Sequence, residues 1–79
     1  MRIICDGHEY RVRDSVGGYI AKNNYGTDVA FAHKSARYSA TWWRFMCKGA
    51  SDFFHKDDSM FEGRSIEERL VQWYAAVSS

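Results

Sequence analysis

Residues 37–48 run Arg37-Tyr38-Ser39-Ala40-Thr41-Trp42-Trp43-Arg44-Phe45-Met46-Cys47-Lys48, and two secondary structures compete for them. As a strand, alternation sends Ser39, Thr41, Trp43, Phe45 and Cys47 to one face and Tyr38, Ala40, Trp42, Arg44 and Met46 to the other. As a helix, Ser39 caps the start, Gly49 closes the end, and Trp42, Phe45 and Met46 form a stripe at i, i+3, i+4. The strand is preferred, because a meander already running with short turns continues most cheaply to a neighbour. Neighbouring indoles cannot share one face in either case. The strand puts Trp43 in the core and leaves Trp42 outside beside Arg44; the helix reverses the two.

Toward the N-terminus, Asp6-Gly7 sits between two alternating segments, the dipeptide favoured where both central turn positions need positive φ. It predicts a hairpin pairing residues 2–5 with 8–11, Cys5 opposite His8 and Ile3 opposite Tyr10. Met1, Ile3, Cys5, His8, Tyr10 and Val12 then face the core, and Arg2, Ile4, Glu9, Arg11 and Arg13 face away. Gly17-Gly18 breaks the chain again. Residues 19–23 read as a strand, 23–26 as a turn with Tyr25 at its tip, and 27–34 as a strand with Ala30 and Ala32 on one face.

Toward the C-terminus, residues 48–51 turn the chain, 52–56 offer a short edge strand, and 57–59 are a polar loop. Ser65 with Glu68 forms a capping box, and Ile66, Leu70, Trp73 and Val77 recur at helical spacing. The helix is expected to pack on the sheet face bearing Ile3, Tyr10, Val12 and Phe31, with Tyr74 reaching a sheet edge. The fold expected is α+β: a four- or five-stranded antiparallel β-sheet, begun as an N-terminal meander, with one C-terminal α-helix on one face. Residues 1–79 read as a single compact domain.

The chain has 79 residues, no proline, three Trp, five Tyr and five Phe. So short a chain buries only about 60% of its unfolded surface, which places the burden on large side chains. Its 46% hydrophobic and 27% charged residues are ordinary for a globular domain. The formal charge is +1, but residues 1–48 carry eight Lys/Arg against four acids, and residues 49–79 three against six. Such asymmetry suits a dipolar surface that steers a charged partner. No apolar run reaches the roughly 18 residues of a membrane span and no signal-peptide core is visible, so a cytoplasmic location and free thiols at Cys5 and Cys47 are expected.

Chemistry-bearing patterns are sparse. Cys5 with His8 and Cys47 with His55 hold zinc-ligand types, but at no finger or ribbon spacing, and a Cys–His nucleophile pair would lack a pocket and oxyanion hole. Gly17-Gly18 lacks the rest of a phosphate loop. No catalytic residue, metal or cofactor is therefore expected. Arg2, Arg11 and Arg13, joined by Lys22, Arg37 and Arg44 and interleaved with Tyr or Trp, are the types that contact single-stranded nucleic acid, although the near-neutral charge opposes this. Trp, Tyr and Arg are also the usual anchors of protein interfaces. The expectation is a non-catalytic protein-binding module of inhibitor or adaptor type, whose partner-binding residues are Arg2, Arg11, Arg13, Tyr25, Trp42 and Arg44. Its partner would be a larger protein or nucleoprotein complex, and the chain a monomer or homodimer. Size suggests a phage- or mobile-element-encoded antagonist of host nucleic-acid handling or defence. Direct single-stranded DNA or RNA binding is the alternative, and the acidic 52–62 segment, with Asp52, Asp57, Asp58 and Glu62, is a rival contact region.

Overall fold

A computed structural model describes residues 1–35 and 42–79. Arg37, Tyr38 and Ser39 lie outside the described residues. The sheet has six strands in the order of the chain, all antiparallel: β1 (Arg2–Cys5), β2 (His8–Ser15), β3 (Gly18–Lys22), β4 (Asp28–Lys34), β5 (Trp42–Cys47) and β6 (Ala50–His55). The expected count of four or five is thus corrected to six. Ala50 and Ser51 belong to β6 because Lys48-Gly49 alone makes the turn, with Gly49 at φ +87°. That lengthens the last segment into a full pairing partner for β5. A 3-10 turn (Ser59–Phe61) leads to the helix α1 (Ile66–Val77).

Several local predictions hold. Asp6 and Gly7 take φ +51° and +79°, and Cys5 pairs with His8 as Ile3 pairs with Tyr10. Ser65 Oγ accepts from the Glu68 amide at 3.2 Å while Glu68 Oε1 accepts from the Ser65 amide at 3.2 Å, closing the capping box. Residues 42–47 are strand, with Trp43 buried and Trp42 half-buried on the opposite face.

The helix lies over a floor of Ala21, Ala30 and Ala32, each fully buried. Register sets them together: Val12, Ala21, Ala30 and Cys47 make one cross-strand row, and Tyr19, Ala32 and Phe45 the next. Small side chains let the helix backbone approach, so this is the face it takes. Phe31, expected beneath the helix, instead faces away, because alternation from Ala30 and Ala32 leaves it no other side. The helix stripe is also broader than expected. Leu70, Val71 and Trp73 are buried, whereas Val77 is 41% exposed. A helix packed on a sheet buries a stripe about 100° wide, which includes Val71.

Aromatic rings close both flanks. On one side Tyr74 packs edge-on against Tyr10, with centroids 5.9 Å apart. On the other, Phe45 touches Phe54 (5.2 Å), Trp73 (5.8 Å) and Phe61 (6.4 Å). The Trp73 indole donates to Asp52 Oδ2 at 2.8 Å, tying α1 to the edge strand β6.

Gly18 is needed for close approach. A Cβ there would stand 1.7 Å from the Ala32 carbonyl oxygen, in backbone that cannot move without breaking the β3–β4 ladder. Gly18→Ala should cost more than about 3 kcal/mol in urea denaturation or fail to fold. Gly26→Ala, at φ +86° with open space around it, should cost only about 1–2 kcal/mol. Trp73→Phe, which keeps much of the ring and loses the bond to Asp52, should cost about 1–3 kcal/mol.

Candidate binding face of the sheet

The face turned away from α1 includes three long cross-strand rows. Arg2, Arg11 and Lys22 stand side by side and end against Asp28, after an irregularity between Ala21 and Lys22. The central row is Arg13, Ile20, Phe31, Met46 and Ser51; the next is Gly18, His33, Arg44 and Phe53. Trp42 opposite His55 completes the corner. Ile20, Phe31, Met46 and Phe53 are all half-buried, an apolar band with arginines at both ends. No described element packs across it.

Five of the six expected partner-binding residues share this face: Arg2, Arg11 and Arg13 at one end, Trp42 and Arg44 at the other. Three strand spacings separate β2 from β5, about 14 Å, and the apolar band bridges the gap. Its members Ile20, Phe31, Met46 and Phe53 were missed as site residues; the alternation signal was present, but assigning Phe31 to the helix side hid the row. Tyr25 does not join them. It stands 91% exposed on the β3–β4 turn, where Asn23 Oδ1 accepts from the Tyr25 and Thr27 amides at 2.9 and 3.0 Å.

Much of the positive charge is already engaged. Arg13 meets Asp28 through two parallel bonds of 3.0 and 3.1 Å. Arg2 Nε lies 2.9 Å from Glu9 Oε1, and Arg11 lies 3.7 Å from the same oxygen. The bond to Arg13 holds the Asp28 carboxyl below its ordinary value and raises the guanidinium above its own. At the other corner Arg44 Nε donates to Ser51 Oγ at 3.1 Å and its guanidinium carbon sits 5.7 Å from the Phe53 centroid. Trp42 and His55 meet edge-on at 5.3 Å. The result is a mixed surface, able to bury apolar groups centrally and to offer donors at the rim.

The zinc-type residues do not converge. Cys5 and His8 are neighbours, but Cys47 sits beside the β5–β6 turn on the helix face while His55 ends β6 on the other. Among the described residues no three His, Cys, Asp or Glu gather as a metal site. Both cysteines are free, and four strand spacings, about 19 Å, separate their strands. Burial, reinforced by Asp6, pushes the Cys5 thiol up despite Arg64, the opposite of what a thiolate nucleophile requires. In the acidic segment, Asp52 accepts from Trp73 and Asp58 Oδ1 from the Met60 amide, so two of its carboxylates already hold structure. Among the described residues no helix is long and apolar enough to cross a membrane.

Compared with family models, curated proteins and solved structures, the chain matches none.

Because the folded Asp28 pKa lies below its unfolded value, the Arg13–Asp28 pair stabilises the fold above the ordinary aspartate range and fades as pH falls through the lowered value. Thermal melts of wild type and Asp28→Asn should differ slightly at pH 7 and converge in acid; a gap that widens in acid contradicts this assignment.

Proposed function

We propose that this protein is a small non-catalytic recognition module that lays the open face of its sheet on a larger protein. It would act in the cytoplasm as an inhibitor or adaptor, with a phage or mobile element as the source its size suggests. The observation that carries the reading is the continuous band of Ile20, Phe31, Met46 and Phe53 ending in Trp42 and Arg44. An apolar centre with aromatic and arginine anchors and a polar rim is the anatomy of a protein interface.

Single-stranded DNA or RNA is the second reading, favoured by Arg11 beside Lys22 and by the rings of Phe31, Trp42 and Phe53 on the same face. The acids Glu9 and Asp28 among the arginines weigh against it, since each would repel phosphate.

Pull-down from the native host with and without nuclease, followed by mass spectrometry, tests the first reading, with capture of a protein partner surviving nuclease as the expected result. Against that partner, Trp42→Ala or Arg44→Ala should weaken binding by about 2 kcal/mol or more if these are the anchors. Arg11→Glu should act mainly on the association rate and its salt dependence. Unchanged affinity in all three substitutions moves the interface off this face. Oligonucleotide affinity that falls steeply with salt, with no protein captured after nuclease, would favour the second reading.

A further inference from the structure

Tyr25, set apart from the open face, belongs to a different constellation. A cavity of about 340 Å³ lies between the β1–β2 turn, the β3–β4 turn and the C-terminal end of α1, and three of the five tyrosines line it: Tyr10, Tyr25 and Tyr74. Tyr10 and Tyr74 meet edge-on at 78°, so their ring planes are nearly perpendicular, as two adjoining walls of a box would be. Asp6 lines the cavity from the hairpin turn, close enough to Tyr10 that its charge helps raise the phenol, after burial, Tyr74 and Cys5. Glu9 is also in the wall, but its carboxylate is bound to Arg2 on the other face, which leaves Asp6 as the charge that counts.

Of the basic residue types only His8 lines this cavity, with no Lys or Arg, and the last turn of α1 carries no basic residue to answer the negative end of the helix dipole. Tyrosine rings, one carboxylate and a helix C-terminus all favour a positive guest. Hard metal ions are a poor match, because they demand several oxygen ligands at once and no such cluster exists among the described residues. A weakly hydrated organic cation loses little on leaving water and gains from every ring face it touches.

We infer that the cavity bounded by Tyr10, Tyr25, Tyr74 and Asp6 is a binding site for a quaternary ammonium group. The group comes either from a free small molecule or from a trimethylated lysine side chain. The site is independent of the open face: it lies at one end of the sheet and uses residues of the hairpin turn and helix terminus that the open face does not.

The test is nuclear magnetic resonance titration of the full-length ¹⁵N-labelled chain with choline, with N-acetyl-trimethyl-lysine methylamide, and with 3,3-dimethylbutanol, the uncharged isostere of choline. Saturable shifts at Asp6, Tyr10, Tyr25 and Tyr74 with a cationic probe are expected, and binding about tenfold weaker with the neutral isostere. Asp6→Asn and Tyr25→Leu, both at exposed turn positions, should each weaken cation binding by a similar factor while the rest of the spectrum keeps its dispersion. Preference for choline identifies a free ligand, and preference for the blocked trimethyl-lysine a modified protein. Absence of saturation with both cations, equal binding of the isostere, the same shifts with matched sodium chloride, or unaltered affinity in both variants would overturn the site.

Discussion

One helix has to cover a sheet about twice its width. Six strands span about 24 Å, whereas a helix with its side chains is about 10–12 Å across. The alanine floor answers half of that constraint by letting the backbone of α1 come close to β4 and β3, and α1 approaches β1 and β5 as well. The other half falls to rings that reach past the helix on both flanks. Tyr10 with Tyr74 shields the β1–β2 side, and Phe54, Phe61 and Trp73 gather round Phe45 on the β5–β6 side. The aromatic excess of so short a chain is therefore first a consequence of geometry. Phe61 has no place in either a strand or the helix, and the 3-10 turn exists to bring it in.

With one face so closed, what remains of the aromatic and arginine content defines two surfaces of different character. The open face is broad and partly compensated, with Arg2, Arg11 and Arg13 beside acids of the same face, Arg44 bonded to Ser51, and its apolar band half-buried. The tyrosine-lined cavity at the sheet's end lies where covering the β1–β2 flank with Tyr10 and Tyr74 leaves a gap beside the helix terminus, which Tyr25 also lines.

Legibility followed the range of the forces. The hairpin at Asp6-Gly7 and the capping box at Ser65 and Glu68 were readable because each is a bargain between residues a few positions apart. The opposed faces of Trp42 and Trp43 were also readable once residues 42–47 were taken as strand. Phe31 was misplaced because alternation shows which residues share a face without showing which face the helix will choose. Val71 was overlooked for a related reason: helical spacing marks a line, and the width of the buried stripe depends on the surface it lies against. Arg2, Arg11 and Arg13 were correctly put together, but their pairing with Glu9 and Asp28 was only half visible, since Asp28 reaches Arg13 across β3.

By itself the sequence determined the antiparallel meander, the register of its first hairpin and the extent of the capped helix, because turn chemistry, side-chain alternation and capping act within a few residues. Tertiary structure alone decided the full length of β6, the face on which α1 sits, the recruitment of Phe61, and the separation of Tyr25 from the arginines. Each of these depends on how closely two backbones approach and on what volume is left between them, and those quantities exist only once the sheet and helix have met.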